Sequence, residues 1–269
     1  MRTIDHEHLG KTIAILREVR ENDLQDWRKK DFLKPLAAAK GEPGVCFDAA
    51  LLADSLAWAA QLCDSNSAEF MRWLSLSVQY HLACLRASTR LMSAAAAQRN
   101  MRAFLFEDGS YIHLGKSLQI LSAFACGEWA CAIDLAQLMQ KHWDVFHKRS
   151  HPKLRPFGRM VVDAGLERWS DLKKSATAFI EFAATKDKSK VGFGTAFLAL
   201  TKRDLKGANA GVDAIVAQHG RMSGPGSIYG TYDSARYLSL FGLGVVNYLR
   251  HHGLKVEARP PLIPEELVI

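Results

Sequence analysis

The chain has 269 residues, of which 48% are hydrophobic and 23% charged, and its formal net charge is +7. This ordinary globular composition excludes collagen-like, low-complexity and disordered proteins. A chain of this length buries roughly 70–75% of its unfolded surface, so a core can form without a metal or disulfide staple. We therefore expect one continuous domain over residues 1–269.

The sequence predicts neither a signal peptide nor a membrane span. Residues 1–8 contain no apolar core and no small-residue cleavage site. The most apolar stretch, 237–249, is broken by polar and glycine residues and is too short to cross a bilayer. The five cysteines include no CxxC pair, which argues against a disulfide framework. These features predict a cytoplasmic protein with no membrane partner.

Helical periodicity dominates the first hundred residues. It predicts helices over 4–19, 47–63 and 70–97. Asn66 and Glu69 have the spacing of a capping box before the third of these helices. The next segment, 103–112, places Asp-Gly between two apolar runs, which is consistent with either a short β-hairpin or an extended loop.

Two helical hairpins are predicted further along the chain. The first joins 114–125 to 129–143 through a turn at 126–128, and the second joins 193–201 to 205–219, with Gly220 as a helix C-cap. The two hairpins correspond with an offset of 77 residues. This pattern predicts an all-α fold of stacked antiparallel hairpins, similar to tetratricopeptide-type arrays.

Two further helices complete the prediction. One covers 170–184 and is opened by Ser170 as a possible N-cap. The other covers 237–249 and is apolar nearly all round, so we expect it to be the central buried helix. Gly242 and Gly244 would let a neighbouring helix approach it closely.

Spacing assembles no catalytic, cofactor or metal site, so we expect a protein that is not an enzyme. The paired histidines at 6 and 8 and at 251 and 252 lack a third ligand placed by spacing. The Gly-x-Gly at 192–194 lacks the preceding strand and third glycine of a dinucleotide site. Glu128 is interpreted as a helix N-terminal charge, and His81 as a hydrogen-bonded core histidine.

The most unusual segment is basic. Residues 147–159 contain five Lys or Arg, two His and no acid, and residues 147–190 carry 11 basic against 5 acidic residues, a net charge of +6. Three interpretations stay open: a solvated loop, a docking surface for an acidic protein, and a contact for nucleic acid. The candidate partner-binding residues are Arg149, Lys153, Arg155, Arg159 and, in the glycine-rich loop 223–230, Tyr229.

The C-terminal segment carries a resemblance to a known family. The segment from Leu238 to Leu267 begins with the long apolar helix, followed by Gly253-Leu254-Lys255-Val256-Glu257 and by a Pro-Leu-Ile-Pro-Glu-Glu-Leu close at 261–267. This segment resembles the end of the immunity protein 49 family, and the turn at 123–129 resembles that family's helical middle. The resemblance implies a mostly helical protein that binds and neutralises a cognate bacterial toxin. It carries no catalytic motif.

Three functions follow as alternatives. The favoured one is an immunity protein that sequesters a cognate toxin. The second is a helical-repeat adaptor or regulator that binds nucleic acid through 147–159, and the third is an all-helical enzyme. With the favoured function we expect that truncation of 261–269 destabilises the fold, because Leu262, Ile263, Leu267 and Val268 are predicted to pack back on the last helix.

Overall fold

Helices make up the regular structure of the part of the chain that the computed structural model describes, residues 6–29, 42–97, 112–222 and 237–269. The α-helices are α1 (His6–Lys29), α2 (Pro43–Asp64), α3 (Ser67–Ala97), α4 (Leu118–Ala125), α5 (Trp129–Lys141), α6 (Trp143–Arg149), α7 (Arg155–Gly165), α8 (Trp169–Lys186), α9 (Val191–Thr201), α10 (Leu205–Met222) and α11 (Leu240–His251). Short 3-10 helices occur at Leu114–Ser117, Pro152–Leu154, Lys188–Lys190 and Glu265–Leu267. Within these ranges no strand forms, so the predicted all-α class is confirmed. The β-hairpin considered at 103–112 falls outside the described residues, apart from Ile112.

Consecutive helices pack as hairpins. α2 packs on α3, α4 on α5, α7 on α8, and α9 on α10, and α8 also contacts α9. The turns at 126–128, 166–168 and 202–204 are too short for anything but an antiparallel return. The two hairpins that correspond with an offset of 77 residues are not adjacent, because the α7–α8 hairpin lies between them. The turn residues Gly127, Glu167 and Arg203 are 40 and then 36 positions apart.

Several predicted helix ends differ from the structure. α1 continues to Lys29 instead of ending near residues 20–22, and α10 continues to Met222, so Gly220 is not a C-cap. Arg168, and not Ser170, occupies the N-cap position of α8. Half of the predicted capping box before α3 is observed: the Asn66 side-chain oxygen accepts a hydrogen bond of 3.1 Å from the backbone N–H of Glu69. The Asn66 N–H donates to the Ala60 carbonyl instead of the Glu69 side chain.

α11 is the central helix, as predicted. Every residue from Leu240 to Leu249 is buried, and the helix packs chiefly on α4. A Cβ at Gly244 would lie 2.1 Å from the Leu121 carbonyl oxygen, so only glycine permits this approach. The buried Asn247 amide donates to the carbonyls of Ala125, at 2.8 Å, and Leu267, at 3.3 Å. It therefore ties α4 and the C-terminal segment to α11.

The C-terminal segment returns along α11. The Ser239 N–H donates to the Leu262 carbonyl at 2.7 Å, and the side chains of Ile263 and Leu267 are fully buried. Leu262 and Val268 are half-buried. The packing expected for this segment is therefore confirmed, with Ile263 and Leu267 as its buried anchors.

One helix in the described residues, α2, is long and apolar enough to cross a membrane, with a mean hydropathy of 1.3 over its best window. Half of that window is buried inside the fold, where α2 packs on α1 and α3. The core helix of a globular protein gives the same signal, so a single such helix is weak evidence for a membrane span. The helix predicted over 237–249 is observed as α11, which begins at Leu240 and continues to His251, and its residues Leu240–Leu249 are buried within the fold.

The five cysteines are free thiols. Cys46 and Cys84 are buried, as expected for small apolar side chains, whereas Cys63, Cys126 and Cys131 are half-buried. Burial raises the pKa of the Cys84 and Cys131 thiols to about 11, so both are protonated at neutral pH. A protonated thiol is a poor nucleophile, which fits a structural role.

Candidate functional site

The hairpin topology creates two ends. At the end called here the turn end lie the three hairpin turns at 126–128, 166–168 and 202–204, together with the C-terminus of α11 at His251 and His252. At the opposite basic end lie the loops that lead from α6 into α7, residues 150–154, and from α8 into α9, residues 187–190. Most sequence-predicted site residues fall at or near the basic end.

At the basic end, two loops from different hairpins meet at Asp187. The Lys190 ammonium lies 2.6 Å from one carboxylate oxygen of Asp187, and the Ser189 hydroxyl donates to the other at 2.6 Å. Burial alone would raise the pKa of Asp187. Its hydrogen bonds to Lys190 and Ser189, and the positive charges of Lys190 and Lys153, outweigh burial and lower that pKa. Lys153 therefore lies within electrostatic reach of the loop after α8.

The remaining cations at the basic end are largely exposed. Lys148, Lys153, Lys186 and Lys188 all face solvent. Asp187 is half-buried and already paired with Lys190. The result is a patch of exposed lysines at the ends of α6 and α8 and in the loops that follow these helices, which the charge count along the sequence located only in part.

Arg159, one of the predicted partner-binding residues, is held by internal contacts. Its Nε donates to Asp163 at 3.0 Å, and its Nη2 lies 2.8 Å from the second oxygen of the same carboxylate. A third nitrogen, Nη1, donates to Gln140 at 3.1 Å, and the guanidinium lies 5.1 Å from the Trp143 ring centroid. Burial raises the pKa of Asp163, and the Arg159 charge opposes that rise. Arg159 thus neutralises a buried acid.

The other predicted residues divide between surface and structure. Lys153 is exposed, whereas Arg155 is half-buried and donates from Nε to the Ser150 carbonyl at 3.2 Å. Arg149 is half-buried at the end of α6. Tyr229 lies outside the described residues. The structure therefore brings Arg149, Lys153 and Arg155 to one end of the array, with Lys153 the most open to a partner.

His113 connects the basic end to the core. Its Nδ1 accepts a hydrogen bond of 3.1 Å from the Gly115 N–H and so caps the 3-10 helix Leu114–Ser117. Burial, and secondarily the positive charges of Lys116 and Arg149, lower the pKa of His113 to about 4. The imidazole is neutral at neutral pH, which is the state that can accept this hydrogen bond.

The turn end is built from four copies of one backbone motif. Gly127, Glu167, Arg203 and Gly253 all have positive φ, at 74°, 54°, 55° and 84°. The N–H of the residue after each one bonds a carbonyl five positions back, at 2.9 to 3.1 Å, in the Schellman arrangement. Two of these positions lack glycine, although the left-handed conformation costs an ordinary residue about 1–2 kcal/mol.

Aromatic rings hold the two histidines of the turn end in place. The His251 ring stacks on Trp129, with centroids 4.0 Å apart and planes 18° apart. The edges of Trp169 and Tyr248 meet the His252 ring at 4.9 Å and 4.5 Å. The Tyr248 hydroxyl donates to the Ala164 carbonyl at 2.6 Å, which anchors this ring to α7.

A carboxylate completes this cluster. One ligand atom from each of Glu167, His251 and His252 lies within 4.8 Å of the other two. Sequence spacing placed no third ligand beside the two histidines, because Glu167 arrives from a different hairpin. The available signal was the repeated turn: Gly127-Glu128-Trp129 and Glu167-Arg168-Trp169 both place a tryptophan two residues after the left-handed position.

The turn end also exposes apolar surface. Trp169 is 41% exposed, Leu205 44% and Ile269 53%, and each lies at or beside one of the turns. Trp129 and Trp169 begin α5 and α8, and Leu205 begins α10 in the equivalent position. Exposed tryptophan is a residue that protein interfaces favour.

His81 and Glu128 are the two other polar residues that were interpreted from the sequence. His81 is 3% exposed, and its Nε2 lies 3.6 Å from the Asp54 carboxylate, which is too far for a hydrogen bond. The hydrogen bond that we expected for this histidine is therefore not observed among the described residues. Burial is the main cause that lowers the pKa of His81. Glu128 lies at the N-terminus of α5, as predicted, and accepts hydrogen bonds from the Ser75 hydroxyl and the Gln79 amide of α3.

Comparison with known proteins assigns neither a family nor a function to this chain. No protein-family model, no curated protein and no solved structure matches this sequence.

Proposed function

We propose that this protein is a cytoplasmic immunity protein that binds and neutralises a cognate bacterial toxin by stoichiometric protein–protein contact. The observation that carries the proposal is the basic end, where loops of two hairpins display exposed lysines around Asp187. The resemblance of residues 238–267 to the immunity protein 49 family supplies the class of partner. The helical array supplies a scaffold of the kind that uses extended surfaces for binding.

The charge of the basic end indicates what it would recognise. A positive patch accelerates the capture of an acidic protein surface, and this electrostatic steering weakens as salt is added. An inhibitor that fills the phosphate-binding cleft of a nuclease would need acidic groups instead. We therefore expect the toxin to present an acidic surface, over an interface of roughly 1,200–2,000 Å².

Co-expression with the toxin candidate encoded beside this gene tests the proposal. We expect the protein to rescue growth and to be recovered with the toxin in a stoichiometric complex. The variant Lys153→Glu with Lys188→Glu should slow association and reduce its salt dependence. The matched control is Lys202→Glu with Lys206→Glu, which makes the same charge change at exposed positions of the turn end.

Two results would overturn the proposal. One is failure of rescue with no complex formed. The other is a complex whose affinity and salt dependence respond equally to both charge-reversal variants, because the basic end would then have no particular role.

A helical adaptor that binds nucleic acid is the second candidate. The same patch favours it, because residues 147–159 contain no acidic side chain to repel phosphate. Binding of DNA or RNA that falls steeply with salt, and that disappears in Lys153→Glu with Lys188→Glu, would establish this candidate in place of the immunity function.

A further inference from the structure

We infer that Glu167, His251 and His252 at the turn end form a binding site for a first-row transition-metal dication, of which Zn²⁺ is the probe used here. The three side chains come from the α7–α8 turn and from the end of α11, and their ligand atoms lie within 4.8 Å of one another. This site is separate from the proposed toxin surface, since it lies at the opposite end of the helical array.

The donor set suits such an ion. Two imidazoles and one carboxylate, completed by water, are a recurrent zinc set, and imidazole also suits copper and nickel. Metal–ligand bonds of about 2.0–2.1 Å place ligands in a tetrahedron about 3.3 Å apart, so the three side chains need only a modest closure. The Glu167 side chain is 46% exposed and can turn inward without disturbing the core.

One ring nitrogen of His252 has no hydrogen-bond partner among the described residues. The Nε2 of His252 is shielded from solvent and has no hydrogen bond among the described residues, although it lies 3.8 Å from the Glu167 carboxylate. A shielded ring nitrogen without a hydrogen bond is unusual in a folded protein. A metal bound between His252 and Glu167 would provide the missing contact.

The surrounding rings pre-organise the two imidazoles. Trp129 stacks on His251, whereas Trp169 and Tyr248 pack on His252. Ligands that are held in place before the metal arrives lose little freedom on binding, which favours affinity. Arg203 donates to the His252 carbonyl, so its positive charge lies nearby and limits affinity for a dication.

Zinc affinity of the untagged full-length chain, measured by competition with a chromophoric chelator, tests the inference. We expect one equivalent of Zn²⁺ to bind and Co²⁺ to give the visible spectrum of a low-coordinate site. His251→Ala and Glu167→Gln should each weaken binding at least tenfold, since loss of even an outer-shell partner costs about 10–100-fold. The control is His151→Ala, which removes an exposed histidine from the basic end.

A second variant separates loss of a ligand from loss of the fold. Glu167→Gly removes the carboxylate while relieving a left-handed residue, so it should keep or raise the melting temperature and still lose zinc. The inference is overturned if wild type binds no zinc, or if His251→Ala and Glu167→Gly bind it as tightly as His151→Ala does.

Discussion

The two ends of the helical array connect successive helices in different ways. The turns at the turn end join the two helices within a hairpin, whereas the loops at the basic end lead into the next hairpin. At the turn end, repeated Schellman turns satisfy the backbone and leave tryptophan, histidine and glutamate side chains packed against one another. At the basic end, proline-containing and 3-10 connections display lysines to solvent around one acid. The difference indicates that side-chain packing depends on the backbone of the turn. Where the backbone groups of a turn are hydrogen-bonded within the turn, its side chains are available to pack against one another.

Deleting residues 261–269 should have the largest effect, because this segment reaches the turn end along α11. Ile263 and Leu267 are fully buried, and burying such a side chain contributes about 1.5–3 kcal/mol. We expect the deletion to lower the melting temperature measured by circular dichroism by many degrees. Ile269→Ala is the control and should have a small effect, because it shortens an exposed side chain and keeps the backbone N–H that donates to Asn247. An unchanged melt of the long deletion would show that the turn end does not depend on this segment.

Breaking the Arg159–Asp163 ion pair should have the second-largest effect, a loss of stability that originates near the basic end. Arg159→Met leaves the buried Asp163 carboxylate without its cation, and removal of one partner of a buried ion pair costs about 3–5 kcal/mol. Because Arg159 is partly exposed, we expect the low end of that range in urea denaturation. Lys153→Met, on the same basic segment, should change stability by less than about 0.5 kcal/mol. Equal effects of the two substitutions would remove the distinction between structural and displayed cations.

Acid should destabilise the basic end through His113. Its pKa is about 4 in the fold and about 6.5 in the unfolded chain, so the unfolded state binds the extra proton between these values. Stability contributed by neutral His113 is complete above pH 6.5 and is lost as the pH falls toward 4. His113→Asn keeps an acceptor for the Gly115 N–H but cannot titrate. Its urea midpoint should therefore vary less than that of wild type over this window, and an identical pH profile would exclude His113 as the cause.

The smallest effect concerns the backbone of the turn end. Glu167→Gly should stabilise the protein by roughly 0.5–1 kcal/mol, because glycine adopts the left-handed conformation without steric cost. The measurement is the urea midpoint in the absence of metal. Glu181→Gly, in the middle of α8, is the matched control and should destabilise by a similar amount. A loss of stability in Glu167→Gly would mean that the glutamate side chain holds the turn even without metal.

Much of the fold could be predicted from periodicity, and the reasons are local. Amphipathic spacing located the helices, and the all-round apolar pattern with Gly242 and Gly244 indicated that α11 is central. α8 was predicted over 170–184, but its partner α7 was missed because Pro152 and Pro156 interrupt the basic run at its start, where a loop was predicted. Its ion pair was visible in principle, since Arg159 and Asp163 have the i, i+4 spacing of a helix.

The site residues were harder to predict because they depend on how hairpins stack. Glu167 and His252 are 85 positions apart, and only the packing of α11 beside the α7–α8 turn brings them together. Likewise, the approach of Lys153 to Asp187 joins two loops that no pattern along the chain connects. Charge density identified the basic segment, but it could not show that Arg155 and Arg159 bond within the fold whereas Lys153 remains exposed.

The central position of α11 has a consequence for biosynthesis. Asn247 of α11 bonds the carbonyl of Ala125, a residue 122 positions earlier, and Gly244 lies directly on Leu121. On the ribosome, α4 therefore emerges long before the helix that covers it, and its apolar face stays open to chaperones and proteases during that interval. Hairpins made of neighbouring helices can form as they leave the exit tunnel, but the packing of the array is completed only after α11 has been synthesised.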